Sequence, residues 1–136
     1  MAEPAAVRSA LEEIAGEGAV RWDGESLAPH RCDTWSLARL WRMRGELGPP
    51  PICVVSPTDT EAVRRILVYA NRERIGVVPY GAGSGVCGGV LPGGDSIVLS
   101  LARMNRLLEV NETSLFARAE AGMMGNAFET ALESKG

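Results

Sequence analysis

Residues 52–79 read ICVVSPTDTEAVRRILVYANRERIGVVP, and three segments of different periodicity follow one another within them. ICVV (52–55) and IGVVP (75–79) are short apolar runs of the kind a buried strand requires, rich in β-branched side chains. Between them Thr58-Asp-Thr-Glu61 has the spacing of a capping box with Thr58 as the cap. Val63, Ile66, Leu67 and Ala70 then recur at helical intervals, predicting a helix that ends near Arg72 or Glu73. A strand, a helix and a strand within about thirty residues make a βαβ unit. Its two strands are expected to lie parallel in one sheet, joined by a right-handed connection.

Around this unit the chain reads as follows. Pro4 to Ala15 carries Val7, Leu11 and Ile14 at helical spacing, with Pro4 in the first turn and Gly16 and Gly18 beyond the end. Residues 19–32 read as irregular. Asp33 offers an N-cap for TWSLARLWRMR, which Gly45 stops, and Trp35 and Trp41 read as core residues. GPPP (48–51) is a rigid break. SIVLSL (96–101) reads as a buried strand, and LLEVN (107–111) and LFARAEA (115–121) as a further pair around Asn111-Glu-Thr113. Asn126 reads as the cap of a last helix carrying Phe128, Ala131 and Leu132. The fold class is α+β: a βαβ subdomain followed by further strands, with residues 1–49 as a helical extension and 50–136 as the domain proper.

The composition excludes several functions. Hydrophobic residues make up 46% and charged residues 23% of 136 positions, with a net charge of −3, so the basic face of a general nucleic-acid binder is not expected. No apolar run approaches a membrane span, and the first residues lack a signal-peptide pattern, so a cytoplasmic location is expected. Cys32, Cys53 and Cys87 have no C-x-x-C spacing, and His30 is the one histidine. Zinc-ligand spacing is absent, reduced thiols are the default, and a Cys–His catalytic pair would have to use His30.

The second strand runs into VVPYGAGSGVCGGVLPGG (77–94), in which seven of eighteen residues are glycine. Gly83-Ser-Gly85-Val-Cys-Gly88 is formally G-x-G-x-x-G, but a dinucleotide fingerprint needs a helix to begin within it, and Gly89-Val-Leu-Pro92-Gly93-Gly94 cannot be helix interior. No G-K-[ST] is present for a Walker loop, and Asp95 stands without the carboxylates of a calcium site. Glycine content alone leaves two readings: a wide turn with no ligand, or a nest of backbone N–H groups around an anion, with Ser84 adding a hydroxyl.

The run from Pro49 to Val90, PPPICVVSPTDTEAVRRILVYANRERIGVVPYGAGSGVCGGV, with the downstream IVLSLARMNRLLEVNETSLFARAEAG, resembles the N-terminal part of the flavin domain of the vanillyl-alcohol oxidase / p-cresol methylhydroxylase superfamily. The resemblance covers about residues 50–136, and WSLARLWRMR more faintly. It implies FAD as cofactor, its diphosphate lying on the family's P-x-G-x-G-[ST]-x loop, here Pro79, Tyr80, Gly81, Ala82, Gly83, Ser84 and Gly85. Where the commoner loop has G-G-G-T-S, this chain has Ala82, Ser84 and Gly85. Covalently flavinylated relatives carry His at the position matching Ser84, so FAD is expected to be held non-covalently. The segment from Arg103 to Gly136 resembles alkylglycerone-phosphate synthases and, more loosely, D-2-hydroxy-acid dehydrogenases. The implied activities are hydride transfer from a hydroxy acid or related CH–OH donor to flavin, or alternatively alkyl transfer on dihydroxyacetone phosphate. A non-catalytic fragment is the third reading. Family members run to several hundred residues, so this chain is expected to be a fragment that lacks the substrate-binding segments, supplies no catalytic residue, is marginally stable or self-associating, and binds FAD weakly at best.

Overall fold

The computed structural model describes residues 3–133. Helix α1 (Pro4–Ala15) begins at its proline and stops at Gly16, whose φ of 94° lies outside the range favoured by other residues. The stretch read as irregular contains more order than expected. Strand β1 (Val20–Arg21), a single helical turn α2 (Gly24–Leu27) capped by the Asp23 carboxylate, and a 3₁₀ turn over Ala28–His30 occupy it. Each element is too short for periodicity to register, which is why sequence patterning passes over them.

Helix α3 (Ser36–Arg44) and strand β2 (Cys53–Val55) lead into α4 (Thr60–Glu73), β3 (Gly76–Tyr80) and β4 (Ser96–Ser100). The cap of α4 is Asp59, not Thr58: its carboxylate accepts the Ala62 N–H at 2.8 Å. Both residues are good caps, and the ionised one takes the position where the helix dipole also favours it. Arg74 ends the helix in the left-handed region at φ 56°, a position usually given to glycine.

The sheet order is β1-β2-β4-β3. β2 and β3 both run parallel to β4, and β4 lies between them, so the two strands of the βαβ unit share a sheet without touching. β1 adds antiparallel at the other edge, pairing Val20 with Val55, and so joins the segment before residue 50 to the sheet. Alternation decides the two faces. Cys53, Val55, Ile97 and Leu99 meet Val7 and Leu11 of α1 and Ile66 of α4 in the main core, while Val54 and Val98 face a smaller cluster with Leu27 and Tyr80. β2 and β4 are buried throughout, as a covered parallel sheet requires, whereas the edge strand β3 is only partly buried. At Cys53 this burial pushes the thiol pKa up to about 12, which makes it an inert apolar side chain.

A hairpin, β5 (Leu107–Asn111) and β6 (Phe116–Ala119), and helix α5 (Gly125–Glu133) follow. The hairpin turn extends to Leu115, at φ 52°, and the Asn111 side chain accepts the Ser114 N–H within it. Asn126 lies inside α5 rather than before it, its side chain accepting the Ala127 N–H. The final residues of the segment read as helical, 134–136, fall outside the described residues.

Where the hairpin opens, Glu120 is clamped by Arg106. Its carboxylate takes the Arg106 backbone N–H at 2.8 Å and the guanidinium at 2.6 Å, and its side chain is only 7% exposed. The Arg106 hydrogen bonds hold the Glu120 pKa below its ordinary value. A carboxylate depressed in the folded state contributes stability above its unfolded pKa of about 4.3, and that contribution is lost as pH falls through the lower folded value. Glu120→Gln is therefore expected to be less stable than the parent at pH 7, with the gap closing below pH 4. Urea midpoints measured at both pH values check this, and a gap independent of pH would contradict it.

Candidate functional site

The glycine-rich loop leaves the exposed end of β3 and is shaped by residues fifty positions earlier. The Thr34 N–H and hydroxyl both donate to the Gly85 carbonyl, at 2.9 and 2.8 Å, and the hydroxyl also reaches the Ser84 carbonyl at 3.3 Å. Asp33 is 4% exposed; one carboxylate oxygen accepts the Trp35 N–H at 3.0 Å and the other faces the Val90 N–H at 3.5 Å. Asp33 therefore does not cap α3, which begins at Ser36 without a side-chain cap. It ties the start of that helix to the far end of the loop.

Three glycines are explained by what approaches them. A Cβ at Gly83 would overlap the Tyr80 hydroxyl and lie 2.8 Å from the ring carbon bearing it. At Gly85 it would lie 3.0 Å from an Asp33 oxygen, and at Gly88 2.7 Å from the Trp35 ring. Gly83 and Gly88 also have φ of 65° and 78°. Trp35 and Trp41 are not core residues. They form a half-buried, edge-to-face pair 5.6 Å apart, and Gly88 rests on the Trp35 ring.

Tyr80 is the pivot between strand and loop. Its ring lies 4.4 Å from that of His30, its hydroxyl donates to the Pro29 carbonyl at 3.3 Å, and burial raises its pKa, so it remains a protonated donor. His30 itself engages the Ser26 carbonyl through Nδ1 at 2.9 Å. Cys32 is buried and Cys87 is exposed.

Backbone donors are what the loop presents. None of the N–H groups of residues 81–89 donates to an acceptor among the described residues, and most of these residues are exposed. The Ser84 side chain is likewise exposed and bears no protein hydrogen bond there. A run of unpaired backbone donors free of bulky side chains suits an anionic group with many acceptor oxygens, such as a diphosphate. Beside it lies an open cavity of about 490 Å³, bordered by Thr34, Arg39, Arg42, Tyr80 and Gly83. That volume falls in the range of small-molecule sites, about 300–1,000 Å³.

Residues 51–136 match the family model described as "FAD binding domain". The chain belongs to that family. The FAD-binding domain is 36% identical over 86 residues to the glycolate oxidase subunit GlcD of Bacillus subtilis, covering 63% of this chain and 18% of that protein. It is 32% identical over 128 residues to the mitochondrial D-2-hydroxyglutarate dehydrogenase of Arabidopsis thaliana, covering 94% of this chain and 21% of that one. A solved alkyldihydroxyacetonephosphate synthase superposes on all of it with a TM-score of 0.86 at 26% identity, over 26% of the synthase. The chain thus spans about a fifth to a quarter of the length of these proteins. FAD is the cofactor this domain binds, and the flavin-domain resemblance read from residues 50–136 is borne out.

What sequence reasoning missed is the role of Asp33, Thr34 and Trp35 in shaping the loop. Two signals pointed toward them: glycines at 85 and 88 whose need is not local, and a buried-type aromatic beside a cap-type acid. Neither says which distant segment meets which glycine.

Proposed function

We propose that the domain holds the diphosphate of FAD, non-covalently, on Pro79, Tyr80, Gly81, Ala82, Gly83, Ser84 and Gly85, within an oxidoreductase acting on a 2-hydroxy acid. The observation that carries the cofactor site is the run of N–H groups at residues 81–89 without acceptors among the described residues. The chain's part is to bind and orient; the flavin, when bound, supplies the hydride-accepting chemistry. No residue here is assigned a catalytic role, and the substrate is met by segments outside this chain. Support for the substrate class comes from the glycolate and D-2-hydroxyglutarate named in two relatives. The second reading, an alkyl transferase without net redox change, is favoured by the similarity to the synthase structure. Reduction of a dye acceptor by the whole protein on addition of a 2-hydroxy acid separates them, since the transferase would leave the dye oxidised.

Support for non-covalent attachment is Ser84, which stands where the family resemblance places the His of covalently flavinylated relatives. Acid precipitation of the flavin-loaded protein is expected to leave the yellow colour in the supernatant. Flavin fluorescence migrating with the denatured polypeptide would contradict it.

No helix among the described residues is long and apolar enough to cross a membrane. A cytoplasmic location is the reading, supported by three unpaired thiols. The 136-residue chain by itself is expected to be marginally stable or to self-associate. β3 leaves a sheet edge open, and Leu108, Leu115, Phe116 and Met124 are exposed around the hairpin. Sedimentation velocity across a hundredfold concentration range and denaturant unfolding check this, and a chain that is monomeric at every concentration with an ordinary unfolding midpoint would refute it.

A further inference from the structure

We infer that Arg39 and Arg42 of α3 form a cationic wall for the FAD diphosphate, supplying the charge that the backbone loop itself lacks. The inference rests on the proposed placement of FAD at residues 79–85. A diphosphate diester carries about two negative charges, yet the loop residues Pro79, Tyr80, Gly81, Ala82, Gly83, Ser84 and Gly85 carry none, and no Lys or Arg occurs between Arg74 and Arg103. The chain as a whole is net negative. The cavity beside the loop brings guanidinium charge from another part of the fold. Arg39 and Arg42 border it together with Tyr80 and Gly83.

The two arginines are three residues apart, so one face of α3 presents both. Arg42 lies close enough to Tyr80 to act electrostatically on its phenol. Neither guanidinium has an ion-pair or hydrogen-bond partner among the described residues, whereas Arg64, Arg72, Arg106 and Arg118 are each paired with a carboxylate. The one acid in the cavity wall, Asp33, is buried and turned onto the backbone N–H groups of Trp35 and Val90, which leaves the wall net positive. Asp33 and Thr34 fix the start of α3 to the loop, so helix and loop are held as one frame. Guanidinium is the group suited to such a wall, because its planar donors match paired phosphate oxygens.

The test uses the 136-residue chain and FAD, with affinity read from amide chemical shifts so that weak binding is measurable. Arg39→Gln/Arg42→Gln is expected to lose about tenfold in FAD affinity at 50 mM salt and to flatten its salt dependence. Arg39→Lys/Arg42→Lys should restore most of the salt dependence, because charge is kept. Both side chains are exposed, so the fold should tolerate either pair. Unchanged affinity and salt dependence in the double Gln variant would overturn the inference. If Gly83→Val abolishes binding in that same case, the loop placement of FAD stands without the arginines. If instead the double Gln variant weakens binding and Gly83→Val does not, the arginines meet FAD elsewhere, and both the loop placement and the wall built on it fail.

Discussion

Gly122→Ala is expected to destabilise the domain by about 3 kcal/mol or more, the largest effect of any glycine-to-alanine change among the described residues. A Cβ built at Gly122 would overlap the Leu101 carbonyl oxygen, lie 2.5 Å from the Leu101 carbonyl carbon and 2.9 Å from the Met104 carbonyl oxygen. These are backbone atoms, so no rotamer change relieves the contact. The same approach is what lets the Gly122 N–H reach the Met104 carbonyl at 2.9 Å, in a turn where Met104 N–H also returns to Leu101. Gly122 follows β6 and packs back on the connection between β4 and β5, so the cost falls on the joint between the parallel sheet and the hairpin. Native stabilities of about 5–15 kcal/mol leave little room for such a loss. Denaturant unfolding of the variant beside Gly89→Ala, whose added Cβ meets nothing within 4 Å, checks the claim. A midpoint for Gly122→Ala equal to that of the control would refute it.

Gly83→Val is expected to lower FAD affinity by about two orders of magnitude, while the apoprotein still unfolds cooperatively. Gly83 sits at φ 65°, and its missing side chain is the space the Tyr80 phenol occupies. A left-handed conformation costs an L-residue about 1–2 kcal/mol, more when it is β-branched. Relieving both strains means reshaping residues 81–85 or expelling Tyr80 from its contacts with Pro29 and His30. Either change disperses the backbone donors proposed to meet the phosphate oxygens, and charge-assisted hydrogen bonds of that kind contribute about 1.5–3 kcal/mol each. Losing one or two of them accounts for the factor. FAD affinity of the variant within threefold of the parent would remove Gly83 from the cofactor site.

What could be read from the sequence follows how local each signal is. The helix at Pro4–Ala15 and the βαβ unit were legible because apolar spacing, caps and breakers sit within one stretch of chain. The placement of β4 between β2 and β3 was not, because strand order is a choice among non-local pairings that individual strand patterns do not encode. Of the candidate site, the irregular backbone of the glycine-rich stretch was legible from its composition. The partners that give those glycines their purpose were not. Asp33 has the appearance of a helix cap, and only the fold brings it to Val90, across 57 residues. Trp35 and Trp41 have the appearance of core residues, because hydrophobicity cannot distinguish an interior from a surface platform for a glycine turn.

The central claim is that the backbone of residues 79–85 receives the FAD diphosphate. Its most direct measurement is an amide-resolved titration of the 136-residue chain with FAD. The largest shifts are predicted at the N–H groups of Gly81, Ala82, Gly83, Ser84 and Gly85, with α1 and the β5–β6 hairpin unaffected. Saturable FAD binding that shifts amides elsewhere and leaves those five unmoved would contradict the account.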